Sequence, residues 1–114
     1  MSLTKLYIAG PMTGYPDYNR AAFHNAELAL RAKGFDIVNP ATTPEPCGDP
    51  EWRCWTRASI ARMLAHDVTG VALLPGWAAS AGATLEHSIA SALGLPALAL
   101  ELWLREGASA ETVH

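Results

Sequence analysis

Apolar and polar positions follow two periods along the chain, and the alternation between them predicts its elements. Leu3 to Ala9 is mostly apolar and halts at Gly10-Pro11, which reads as a strand. Gly10 to Tyr18 is rich in breakers and reads as a loop. Phe23, Ala26, Ala29 and Leu30 then recur at helical spacing, with Gly34 where a C-terminal cap belongs. Phe35 to Val38 is a second short strand, stopped by Asn39-Pro40. The Pro-rich stretch from Ala41 to Pro50 reads as a surface loop, and Asp49-Pro50 as the cap and first turn of a helix from about Glu51 to His66. Val68 to Leu74 is a third strand, apolar enough to be covered on both faces. Pro75-Gly76-Trp77 turns the chain, Ser80 caps a helix from Ala81 to Leu93, Gly94 closes it, and Ala97 to Leu100 is a fourth strand. Glu101 to His114 begins with helical residues and then frays, with no role assigned.

Strands alternating with helices predict an α/β fold: a small Rossmann-like, flavodoxin-like parallel sheet of four or five strands flanked by helices. With no repeat and no linker, residues 1–114 read as one domain. Ligands of such sheets sit beyond the carboxyl ends of the strands. Three segments converge there: Gly10 to Tyr18, Asn39 to Pro46 and Pro75 to Gly82.

Composition narrows the partners. Hydrophobic residues make up 50% and charged residues 17%, which favours a packed globule over a disordered chain. The net charge is −3 and no basic run occurs, so duplex DNA or RNA is excluded as a partner. A small anionic ligand stays open, because backbone N–H groups at a helix start hold phosphate without lysine. The opening MSLTKLYIAG reads as a strand rather than a signal peptide, and no run approaches a membrane span. Two cysteines without an export signal suggest free thiols, and the expected location is cytoplasmic.

One carboxylate stands out by its face. Gly82, Glu86, Ile89, Ala90 and Leu93 fall together on the third helix, on the side that packs against the sheet. A buried carboxylate is costly without a partner. Glu86 is therefore either a structural acid, held by a salt bridge or the helix dipole, or a functional group. Its place near the ligand edge, behind the small Ala81, Gly82 and Ala83, favours function.

The segments YIAGPMTG, VNPA and LLPGWAASAGATLEHSIASALGLP resemble the nucleoside 2-deoxyribosyltransferase superfamily, and more narrowly its small phage and bacterial branch, DUF4406. The likeness runs from about Leu6 to Leu98. It implies a Rossmann-like sheet, a deoxyribonucleoside or deoxyribonucleotide ligand, at least a dimer, and Glu86 in the place of the family's nucleophile. Cleaving an N-glycosidic bond builds positive charge on the sugar, which a carboxylate stabilises and then traps covalently. That chemistry needs neither metal nor cofactor. Two departures matter. Active members carry an aspartate in the helix before the third strand, where this chain has Ser59. The transferases also carry an aspartate six residues before the glutamate; this chain has Ser80, as do the related 5′-monophosphate N-hydrolases, where serine helps bind phosphate.

The expected substrate contacts are Gly10, Pro11, Met12, Thr13, Asn39, Ser59, Trp77, Ser80 and Gly82. Each has a plainer alternative. Ser80 is equally an N-cap, Trp77 equally a rim aromatic, and Asn39 equally a turn cap. Tyr15 and Tyr18 belong to the lip of the first loop, Arg20 to a solvated helix start, and Asp67 to the strand's far end. Trp52 and Trp55 read as packing, His87 as facing away from Glu86, and His24 and His114 as surface residues. Cys47, Cys54 and His66 lack zinc spacing, and no triad, nucleophile elbow or P-loop is present. Three functions compete: an N-glycosidase or deoxyribosyltransferase acting on a deoxynucleoside 5′-monophosphate, a nucleotide-binding module that does not cleave, and an oligomeric structural protein.

Overall fold

A computed structural model describes residues 4–42, 52–65 and 67–106. Four parallel strands, β1 (Lys5–Ala9), β2 (Asp36–Val38), β3 (Gly70–Leu73) and β4 (Ala97–Ala99), lie in the order β2-β1-β3-β4. This is the expected small Rossmann-like α/β architecture, with four strands. Tyr7 pairs with Val38 on one side and Val71 on the other, which puts β1 at the centre beside β3. Helices α1 (Arg20–Ala32), α2 (Trp52–Ala65), α3 (Ala81–Ala92) and α4 (Leu100–Glu106) supply the covering layers.

The period of two in the strands divides the core. Leu6, Ile8, Ile37 and Ala72 pack with Phe23, Ala26 and Leu30 of α1 and with Trp103 of α4. Tyr7, Ala9, Val38, Val71 and Leu73 face the other way, onto Met63 of α2 and Ala90 of α3. Successive side chains of a strand point to opposite faces, so an apolar run such as Leu6 to Ala9 feeds both layers.

The fourth helix gives the unassigned C-terminal stretch a role as far as Glu106. Trp103 reaches back over the start of β3, and its Nε1 donates to the Val71 carbonyl at 2.8 Å. Its ring meets Phe35 edge-on, with centroids 5.8 Å apart. Gly70 makes the approach possible, since a Cβ there would stand 2.9 Å from the indole.

Boundaries shift modestly from expectation. The first three strands are shorter than the apolar runs, and Leu100 opens α4 instead of ending β4. Leu93, expected on the packed face of the third helix, is 56% exposed, because the helix ends at Ala92 and Leu93 is only its cap. The caps at Gly34 and Gly94 take positive φ, the left-handed geometry that ends a helix without strain in glycine. The expected Asp49-Pro50 cap lies outside the described residues, as do Cys47, His66 and His114; the side chains of Trp52, Cys54 and Trp55 do too. Among the described residues, no helix is long and apolar enough to cross a membrane.

Candidate functional site

Glu86 points inward. Its side chain projects from α3 onto the sheet and is 6% exposed. Tyr7, fully buried on β1, donates its hydroxyl to Glu86 Oε2 at 2.6 Å. Among the described residues, no salt bridge involves Glu86. Burial pushes its carboxyl up to about 7, and the Tyr7 hydrogen bond pulls against that rise. A charged acid in a poorly solvated site is the costly form, so burial favours the proton. The Tyr7 phenol is itself raised well above its ordinary value, chiefly by burial and then by Glu86. Two groups on α2 oppose that shift: the neighbouring Ser59 side chain and the positive charge of Arg62.

The helix carrying Glu86 starts from a capped end. Ser80 lies in extended backbone, its Oγ accepts from the Ala83 amide at 3.2 Å, and its carbonyl accepts from the Thr84 amide at 2.9 Å. Ser80 is thus an N-cap in fact. Gly82 stands one turn before Glu86 on the same face. Trp77, in the turn before the helix, stacks on His87 with centroids 4.6 Å apart and planes 29° apart. One face of the indole is occupied by that imidazole.

The first loop is held against the third. Gly10 is buried where a Cβ would stand 2.7 Å from Leu74 Cβ, so only glycine lets the two strand ends approach this closely. Pro11 is buried and its carbonyl accepts from Asn19 Nδ2 at 2.9 Å. Met12 packs against the α1-side core, while Thr13 is exposed. The Tyr15 hydroxyl sits over Gly76, joining the two loops, and both Tyr15 and Tyr18 are exposed. Asp17, Tyr18 and Asn19 all take positive φ, between 50° and 62°. Left-handed backbone costs L-residues roughly 1 kcal/mol each, so this short segment is locally strained. Arg20 closes it, bonding Asp17 Oδ1 at 2.8 Å and lying over the Tyr18 ring.

Asn39 is committed elsewhere. Its Nδ2 donates to Glu27 Oε1 at 3.0 Å and its Oδ1 accepts from the Ala41 amide at 2.9 Å. It caps the turn after β2 and ties it to α1. Of the expected contacts, then, Ser59 gathers with Glu86 around Tyr7. Gly10 and Pro11 shape the neighbouring strand end, and Trp77, Ser80 and Gly82 lead into or open the helix that carries Glu86. Met12 and Asn39 turn towards α1. Sequence reasoning missed Tyr7 and Arg62. The signal for Tyr7 was a phenol in the middle of a buried strand, where its hydroxyl requires a partner. Among the described residues, no group of three or more His, Cys, Asp or Glu is placed to hold a metal ion.

Fold and site together define a parallel α/β domain with a buried tyrosine–carboxylate pair between sheet and helix. The family model described as domain of unknown function DUF4406 matches residues 4–99, and the chain belongs to that family. No curated protein and no solved structure matches.

Proposed function

We propose that this protein cleaves the N-glycosidic bond of a deoxynucleoside 5′-monophosphate, by hydrolysis or by deoxyribosyl transfer, with Glu86 as nucleophile. The observation that carries the reading is the buried Glu86 carboxyl held by Tyr7 at 2.6 Å. A carboxyl lifted to about 7 is half ionised near neutrality and poorly solvated, which suits attack on an electron-poor C1′. The carboxylate oxygen bonds to C1′ as the base departs, and water or a second base then releases the sugar. Tyr7 holds Oε2, which fixes the carboxyl's rotation and directs its other oxygen. The start of α3 at Ser80 offers backbone amides and a dipole for the 5′-phosphate. The family likeness noted in the sequence supports a deoxynucleotide, and it also suggests a dimer, which light scattering on the purified chain would reveal as twice the monomer mass.

The test is incubation with each deoxynucleoside monophosphate and chromatography for free base. Wild type releases base from at least one, and Glu86→Gln reduces that rate by a hundred-fold or more, on the order expected for a lost nucleophile. Absence of base from all of them, or an equally active Glu86→Gln, refutes the proposal. One observation favours binding without cleavage: at the position where active relatives carry an acid, Ser59 meets Tyr7 and has no proton of comparable acidity for a leaving base. An intact nucleotide recovered after tight binding and long incubation would decide for that second reading.

A further inference from the structure

A cleft of ≈ 310 Å³ runs along the outer edge of β2, and the chemistry proposed at Glu86 makes no use of it. Lys5, Glu27, Arg31, Asp36, Asn39 and Arg62 supply its polar wall. Three cations there face two carboxylates, and both carboxylates are already engaged. Lys5 Nζ lies 3.7 Å from Asp36 Oδ2, while Arg31 reaches Glu27 Oε2 at 2.8 Å and Asp36 Oδ1 at 3.4 Å. Glu27 is engaged a second time, by the amide of Asn39.

Arg62 is the cation that remains. It enters from α2, and among the described residues no salt bridge includes it. Its Nε is buried and has no hydrogen-bond partner. A buried N–H without an acceptor is expensive, and on a guanidinium the natural acceptor is a planar or tetrahedral oxyanion that takes two parallel bonds. The cleft is large enough for such a group and carries one positive charge beyond its carboxylates. We propose that the β2-edge cleft is an oxyanion subsite, in which a phosphate or carboxylate group pairs with the guanidinium of Arg62. The subsite stands on its own geometry and does not depend on chemistry at Glu86.

The test follows the Arg62 Nε–H resonance of the full-length, ¹⁵N-labelled chain, assigned by its disappearance in Arg62→Lys. Inorganic phosphate, acetate and a deoxynucleoside 5′-monophosphate are titrated separately at constant ionic strength. A saturable shift of this resonance is expected. Arg62→Met weakens the best-bound anion about ten-fold or more, as loss of a charge-assisted pair implies. Arg62→Lys keeps the charge but not the fork, so it retains part of the affinity and guards against a misfolded Met variant. Response to phosphate or acetate alone identifies a free small anion; response only to the monophosphate identifies the phosphate of a larger ligand. Glu86→Gln leaves the response unchanged, so failure of the glycosidase reading and failure of this one are separable. The subsite is refuted by a resonance indifferent to all three anions, as an internal carboxylate partner would give. It is equally refuted by undiminished binding in Arg62→Met, or by shifts shared evenly with Arg31.

Discussion

At the scale of single residues, the proposed chemistry turns on the Glu86 carboxyl and the hydrogen bond that the Tyr7 hydroxyl donates to it. The folded carboxyl sits at about 7 against an ordinary 4.5, so the native state holds this proton more tightly than the unfolded chain does. Its contribution to stability is complete below pH 4.5 and is lost as pH rises towards 7, then stays flat. The shift corresponds to about 3 kcal/mol. Urea unfolding of wild type and Glu86→Gln between pH 4.5 and 8 is therefore expected to show the variant gaining by about that amount, since a neutral amide carries no such penalty. The proposed activity is expected to move the opposite way. In that reaction only the ionised carboxylate attacks, so the rate should rise with pH through a midpoint near 7. Tyr7→Phe removes the one bond that favours the ionised form, and its pH–rate midpoint is expected above that of wild type. A midpoint left in place would mean that the phenol does not act on the nucleophile.

At the scale of elements, α3 carries both Glu86, the proposed nucleophile, and the capped start whose backbone amides precede it. Ser80 caps the helix through the Ala83 amide. Ser80→Ala is expected to cost about 1 kcal/mol in unfolding measurements, the ordinary value of an N-cap. Ser80→Asp separates capping from ligand binding. Aspartate caps as well as serine and suits the helix dipole, so stability returns, while its charge repels an incoming phosphate and raises KM for a monophosphate substrate. If KM stays put in that variant, the phosphate sits elsewhere. The loop between β1 and α1 shows the reverse economy: three left-handed residues from Asp17 to Asn19 are held by Arg20 and by the bond from Asn19 to Pro11.

At the scale of the whole molecule, the sheet is closed on its α1 side by a helix of only seven residues. Trp103 does most of that closing, through its contact with Phe35, its approach to Gly70 and its bond to Val71. Trp103→Ala is expected to lower the unfolding free energy by about 3–5 kcal/mol, as removal of a large buried aromatic does. Chemical denaturation with far-UV detection would measure it. A loss below about 1 kcal/mol would show that α4 is dispensable to the fold.

Much of this architecture was written in local pattern. The runs Leu6 to Ala9 and Val71 to Leu74, the helical spacing of Phe23, Ala26 and Leu30, and the glycines after α1 and α3 determine element type, because each depends on near neighbours in the chain. The inward face of Glu86 was legible for the same reason: helical register fixes direction. What the tertiary structure alone decided is which groups meet. Tyr7 and Glu86 are 79 residues apart, and no spacing rule links a strand phenol to a helix carboxylate across a layer. Asn39 was drawn to Glu27, Trp77 to His87 and Trp103 to Gly70 by packing between elements. Partner choice is long-range, whereas helix and strand are local, and the chemistry of this protein lies in the partners.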